Sequence, residues 1–325
     1  VRLVSWWLRR VLSAVITLFL ISVLIFAASR LMPGGFAEVV LGPFATDAEK
    51  AAVSAKYGLD QGIVVQYGLW IGAALKGDFG LSMITGEPVT TEFGLRLPVT
   101  AELTLLGMAA ALLLGVPLGV WTALRAGRRS GGGALGRLVS GFGVSVPEFV
   151  LGSLVVFLFS RYALGLTVGG YVPFGDDPAG NLRAMVLPAA VLSVFVIAVT
   201  ARTTRDAVLN VLVEPYIAAS VARGESPVFI VMRHVLRNAS IPVVTVLGTV
   251  TAYLLGGAVI IEYLFTLPGI GSYVVQAVGR RDYAVVQAGV LLAAVVFVVM
   301  NALTDAVAGV LDPRFGTAAR GRSAA

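Results

Sequence analysis

Cysteine is absent from the 325 residues, histidine occurs once, and lysine appears only at Lys50, Lys56 and Lys76. Each scarcity removes a class of chemistry. Without cysteine there is no disulfide and no thiolate nucleophile, and one histidine alone cannot build a Cys/His zinc site. The three lysines are followed by alanine, tyrosine and glycine. A P-loop needs lysine followed by Ser or Thr, so that the ammonium reaches phosphate and the hydroxyl holds magnesium. The chain therefore lacks that route to ATP hydrolysis. An intramembrane hydrolase needs a nucleophile and a base at membrane depth, but His234 stands in a charged segment between apolar runs.

Charge is also scarce. Only 13% of the residues are charged and 58% are hydrophobic, whereas a soluble domain carries about 25% charged residues. Apolar runs near the ~20 residues that cross a hydrocarbon core as helix recur along the chain. No period-two alternation supports a β-barrel. The net charge of +6 is read as a set of topology signals, and no nucleic-acid partner is expected.

Six spans are predicted, at about 11–32, 98–124, 138–162, 184–203, 239–263 and 284–308. The first exceeds the 7 to 15 residues of a signal core and has no small-residue cleavage site after it, so it reads as a retained span. An even number places both ends on one side. Of the 24 Lys and Arg, 15 fall on the side of the termini and 9 on the other, most of those in one long loop. Short loops decide orientation, which predicts both termini in the cytoplasm. The domains divide accordingly. Residues 1–32 hold the N-terminus and first span, and 33–97 an external helical segment. Spans two to four occupy 98–203, a cytoplasmic loop 204–238, and the last two spans 239–308 with an external loop at 264–283. A cytoplasmic tail, the one low-complexity piece, closes the chain at 309–325.

Within the external segment, Thr46 and Glu49 have capping-box spacing and Gly58 ends the short helix they open. Ile63, Tyr67, Trp70, Ile71 and Ala74 then follow the spacing of an amphipathic helix. In the loop 204–238, Pro215 suits a first helical turn and Gly224 the residue past a helix end. Ser226 and Pro227 start a second helix. Val228, Val231, Met232, Val235 and Leu236 share one face of it, with Arg233 and Arg237 on the other. Two short helices at a glycine turn make a compact knob, and the small residues Ala218, Ala219 and Ser220 let another backbone approach closely. A basic amphipathic loop lying on anionic lipid has the same pattern.

Intramembrane carboxylates mark function by default. Glu102, Glu262 and Asp305 lie near span ends, within reach of interfacial water. Glu148 differs, because 1.5 Å per residue from Arg137 puts it ~15 Å deep. With Pro147 freeing a backbone group beside it, Glu148 is a candidate for the lining of a translocation path, together with Ser145. Gly256, Gly257 and the run "GVPLG" at 115–119 read as close-packing positions.

The stretch "YIAASVARGESPVFIVMRHVLRNASIPVV" resembles the EAA loop of ABC-importer permeases, in the version of the dipeptide and oligopeptide (and nickel) permease family. That likeness extends along nearly the whole chain, through "YGLDQGIVVQYGLWIGAALKGDFGLSMITGEPV", "RLPVTAELTLL", "SVPEF", "FTLPGIGSYVVQAVGRRDYAVVQAGVL" and "LDPRF". The resemblance implies an all-α polytopic membrane protein with six transmembrane helices in the type I ABC importer permease fold, the first of two permease chains. It implies that residues 216–224 form a coupling helix seated in a groove of a cytoplasmic ATPase subunit. The coupling residues would be Tyr216, Ile217, Ala218, Ala219, Ser220, Val221, Arg223 and Gly224, with the adjoining Glu225. Ala218 stands where the family pattern usually has glutamate, and Gly224 keeps the glycine. Pro268, Gly269, Gly271, Arg280, Arg281 and Asp282 would border an outer gate and meet a binding protein.

The function so implied is a permease subunit of an ATP-driven importer in a bacterial cytoplasmic membrane, passing peptides delivered by an extracytoplasmic binding protein. It has no catalytic site and no cofactor of its own. ATP and magnesium belong to two partner ATPase subunits, and a second permease chain shares the pore. Nickel, glutathione or oligosaccharide cargo fits the same family, and an ion-gradient-driven transporter with Glu148 as relay is the alternative of a different class.

Overall fold

The computed structural model describes residues 2–31, 36–56, 58–126, 141, 143–162 and 165–311. Among them the regular structure is helical. We number the helices α1 (Arg2–Leu31), α2 (Phe36–Leu41), α3 (Asp47–Lys56), α4 (Ile63–Ala74), α5 (Val89–Leu124), α6 (Glu148–Tyr162), α7 (Pro178–Leu212), α8 (Pro215–Ala222), α9 (Pro227–Leu264), α10 (Ile270–Arg280) and α11 (Tyr283–Leu311). Helices α1, α5, α7, α9 and α11 are long and apolar enough to cross a membrane. They match five of the predicted spans and run beyond most of them. The third span is described as the 15-residue helix α6 and the short helical stretch 143–145. Residues 138–140 and 142 of that span lie outside the described residues, as do 127–137 of the basic loop and 312–325 of the predicted tail.

Local chemistry sets the helix ends. The Thr46 Oγ1 accepts from the Glu49 amide at 3.3 Å while Glu49 Oε2 accepts from the Thr46 amide at 2.8 Å, the reciprocal box predicted for α3. Gly58, at φ +63°, closes the same helix, with the Leu59 amide donating to the Ser54 carbonyl. Asp177 caps α7 by accepting from the Ala179 amide, ahead of Pro178 at the first helical position.

The chain divides into two compact units. The first comprises Val1–Thr100 and Pro268–Val298. Here α4 lies on α1: Tyr67 and Trp70 pack on Phe26, and the Tyr67 hydroxyl pairs with Ser22 at 2.7 Å. Ile63, predicted on the same face, is exposed instead. A second core joins Val89 and Phe93 of α5 to Ile270, Tyr273 and Ala277 of α10 and Val285 of α11.

The second unit comprises Ala101–Leu267 and Val299–Ala325, and α7 is its centre, packed by α5, α6 and α9. In lipid no hydrophobic driving force separates helix from tail, so close van der Waals fit has to hold such helices together. The glycines supply it. A Cβ on Gly119 would lie 2.5 Å from the Ala201 carbonyl oxygen, and one on Gly115 3.0 Å from Thr200 Cβ. A Cβ on Gly248 would collide with Thr304. The "GVPLG" run is therefore a packing seam between α5 and α7. Gly256, in contrast, has nothing within 4 Å of its Cβ position; only Gly257 of that pair is crowded. Glu262, expected to reach interfacial water, is 0% exposed. It lies near the end of α9 on the buried stripe with Ala258 and Ile261.

Candidate functional site

Between α7 and α9 stands the eight-residue helix α8, with short connections on either side. Helix α7 runs to Leu212, Glu214 is extended, and Pro215 opens α8 at its first position. After Ala222 the chain turns on Gly224 at φ +77°. The Gly224 amide donates to the Val221 carbonyl at 2.9 Å and the Glu225 amide to the Ser220 carbonyl at 3.2 Å. These two bonds form a Schellman closure, which satisfies carbonyls that the helix end would leave bare. Ser226 then accepts from the Phe229 amide at 3.3 Å, and Pro227 begins α9. The predicted knob is thus built from a proline start and a glycine stop, followed by a serine cap.

The nine predicted coupling residues divide between two faces. Ile217 and Ser220 point inward, 6% and 1% exposed. Ile217 joins a core with Ala123 of α5, Ala207 and Val208 of α7, and Ile230, Val235 and Ala239 of α9. Tyr216, Ala218, Ala219, Val221, Arg223 and Gly224 are exposed. Ser220 was expected to ease the approach of a partner; instead it faces the core, leaving Ala218, Ala219 and Ala222 as the small residues on the open side. Helix α8 is bolted to the ends of three long helices through one face and presents the other.

Glu225 ties the knob together. Its Oε1 accepts from Arg223 Nε at 3.0 Å and Nη2 at 2.7 Å, and its Oε2 pairs with His234 Nε2 of α9 at 3.1 Å. Arg223 Nη2 also donates to Ser220 Oγ at 2.8 Å. The hydrogen bonds from Arg223 hold the Glu225 carboxyl below its ordinary range, so it stays ionised at neutral pH.

Helix α9 departs from its predicted face. Residues Ile230–Val235 form a π turn, and the extra residue rotates the rest of the helix by about 100°. Ile230 and Val235, five apart, become the buried pair, while Val228 and Met232 are 73% and 64% exposed. With Trp121, Leu124, Arg125, Pro227 and Val231 they line an open groove of about 460 Å³.

The second candidate cluster surrounds Glu148. The chain bends at Val146, and Pro147 stands just ahead of α6, which Glu148 opens. Ser145 and Pro147 are exposed and Glu148 is half-buried. Glu148 Oε2 accepts from the Tyr253 hydroxyl of α9 at 3.2 Å, and the Tyr253 ring stacks on Phe195 of α7 at 4.1 Å between centroids. Phe195 is the midpoint of Pro178–Leu212, so the contact places the carboxylate at the mid-depth of a membrane-crossing helix. A Cβ on Gly257 would lie 2.8 and 2.9 Å from the two Glu148 oxygens; the glycine is the seat that lets the carboxylate lie against α9. A broken helix and a carboxylate at this depth are tolerated where they meet protein or a water-filled cavity. Acidic residues at a span centre cost about 2.5–3.5 kcal/mol on insertion scales.

The chain is similar along most of its length to known transport proteins. Residues 115–317 match the family described as binding-protein-dependent transport system inner membrane component, and residues 3–104 match the family of its N-terminal part. The chain belongs to this family. It is an ABC importer permease subunit and a multi-pass membrane protein. A probable peptide ABC transporter permease of Sinorhizobium fredii is 37% identical, over 94% of this chain and 97% of that one. A putative peptide transport system permease of Brucella abortus is also 37% identical over the same shares. A glutathione transport system permease of Salmonella paratyphi A is 36% identical, over 96% of this chain and 98% of the relative. Among solved structures, a chain of the inward-facing MetNI methionine ABC transporter aligns with a TM-score of 0.51 at 17% identity, covering 68% of this chain and 96% of that one. The shared fold is the type I importer permease fold.

In this permease the segment after α9 breaks as "LPGIG" requires. Thr266 takes φ +53° and Gly269 sits ahead of α10. Pro268 is exposed, whereas Gly269 and Gly271 are buried. Arg281, at φ +57°, ends α10 and, like Arg280, is exposed. Asp282 was expected at the surface beside them and is not there. It is 0% exposed, accepts from Ser82 Oγ at 2.6 Å and caps α11 at the Val285 amide. Its carboxylate is consumed by the permease's own architecture. Tyr253 and Phe195 were missed by sequence reasoning, and Gly257 was read as a close-packing position without its link to Glu148; these links span up to 109 positions of the chain and leave no local signal.

Proposed function

We propose that this permease is one half of the membrane path of an ATP-driven peptide importer, with α8 as the helix through which a partner ATPase drives it. What carries the reading is the division of α8 into an anchored face at Ile217 and Ser220 and an open face at Tyr216, Ala218, Ala219, Val221, Arg223 and Gly224. A helix fastened to the ends of three long helices transmits displacement to them. The chain has no P-loop lysine of its own, so ATP and magnesium belong to two ATPase partners.

In this reading both termini and α8 lie on the cytoplasmic side. A second permease chain completes the pore, and Ser145, Pro147 and Glu148 line the path. Pro268, Arg280 and Arg281 stand on the outer side, where a binding protein delivers cargo. Peptide cargo is favoured by the names of the relatives, two peptide permeases and a glutathione permease. ATP binding acts by favouring one of two packings of the helices, since only differential affinity for the two states shifts such an equilibrium.

The test is uptake of labelled dialanine into proteoliposomes carrying the whole complex. Uptake is expected only with ATP and the ATPase chains present. Uptake driven by a proton gradient with the ATPase chains omitted would overturn the proposal in favour of a secondary transporter.

A further inference from the structure

We infer that Glu148, Tyr253 and Phe195 form a site for a primary ammonium group carried by the cargo. The inference rests on the reading of residues 145–148 as part of the path and names what that part of the path recognises.

The carboxylate is held ready for a cation. Among the described residues, its hydrogen-bond partner is the neutral Tyr253 hydroxyl at 3.2 Å, and no Arg, Lys or His forms an ion pair with it. An ionised carboxylate accepts about four hydrogen bonds, so most of its capacity is not taken up by the described residues. The chain's three lysines, Lys50, Lys56 and Lys76, all fall in the segment between the first two predicted spans. Placed beside the midpoint of α7, a carboxylate without a cationic partner is costly to keep. That cost is met each time a mobile cation occupies the site.

The surroundings select the kind of cation. Tyr253 is 37% exposed, and its ring is braced on Phe195 with a 26° angle between the rings. It offers aromatic surface beside the carboxylate, a pairing that suits an ammonium. A metal ion finds too few ligands, since no group of three or more His, Cys, Asp or Glu lies together among the described residues. Gly257 fixes the carboxylate's position, because any Cβ there would meet both its oxygens.

The test uses the complete complex in proteoliposomes, supplied with saturating loaded binding protein, and compares dialanine with N-acetyl-dialanine, which lacks the ammonium. Glu148→Gln is expected to lower the maximal rate for dialanine on the order of tenfold and to leave the rate for the acetylated peptide and the KM for loaded binding protein unchanged. Glu148→Asp is expected to restore part of the loss. Equal slowing of both peptides, or of neither, overturns the ammonium site. A second readout needs no binding protein. In a chain without cysteine, Ser145→Cys provides a unique thiol. Its labelling by aminoethyl methanethiosulfonate, relative to the neutral hydroxyethyl reagent, is expected to fall when Glu148→Gln is added. Labelling by both reagents with no change in that ratio overturns the ammonium site and leaves the path reading standing. No labelling by either reagent overturns the path reading itself.

Discussion

Gly224→Val is expected to abolish ATP-driven uptake while the chain still inserts and co-purifies with its second permease subunit. Gly224 holds φ +77°, and nothing lies within 4 Å of its Cβ position. The penalty is therefore conformational and not steric crowding by neighbours. A β-branched residue in the left-handed region costs about 1–3 kcal/mol. That is enough to open the two closing hydrogen bonds of α8, and with them the geometry that places Arg223 on Glu225 and Glu225 on His234. Gly224→Asn, which tolerates this conformation, is expected to retain most uptake. Uptake and basal ATP hydrolysis measured side by side separate the outcomes. Loss of uptake with hydrolysis retained signals uncoupling, and loss of the assembled complex signals misfolding.

The second large effect is on stability. Gly119→Val is expected to prevent α5 from approaching α7, because the Ala201 carbonyl oxygen and Thr204 Cβ lie 2.5 and 2.6 Å from the added carbon. Rigid backbone on one side and a buried threonine on the other leave no cheap way to yield. Overpacking of this kind costs about 1–3 kcal/mol or more, read as a lowered Tm in detergent and reduced accumulation in the membrane. Gly256→Ala serves as the control. Its position is open and mid-helix, so the exchange is expected to be neutral or to gain up to about 1 kcal/mol in helix propensity.

These two glycines show what the sequence could reveal and what it could not. The turn at Gly224 is announced locally, by Pro215 nine residues before it and by Ser226 and Pro227 after it. The capping box of Thr46 and Glu49 is likewise written within four residues. Hydropathy placed the long helices because span length is fixed by the bilayer. Side-chain direction within those helices was less legible. The stripe read from Val228 to Leu236 assumed α-helical spacing throughout, and the π turn at Ile230–Val235 shifted it by one residue. Glu262 was read as reaching interfacial water because it stands near a span end, and Asp282 as facing a binding protein because the family resemblance implied it; both are buried, and Ser82, on Asp282, is 200 positions away. Ser220 turned inward for a related reason. Which face of an eight-residue helix is anchored depends on the packing of Ile217 against α7 and α9, and small residues on both faces gave no amphipathic signal to decide it.

The central claim is that α8 is held by an ATPase. Ala219 lies on the open face of α8, and Ala219→Cys introduces the only thiol in this chain. Benzophenone maleimide attached to this thiol and irradiated in the assembled importer in native membranes is predicted to yield one adduct, with the mass of this permease joined to a single ATPase subunit. It should form faster when ATP is trapped. An adduct confined to lipid, or an unmodified chain in a complex that still transports dialanine, would contradict the account.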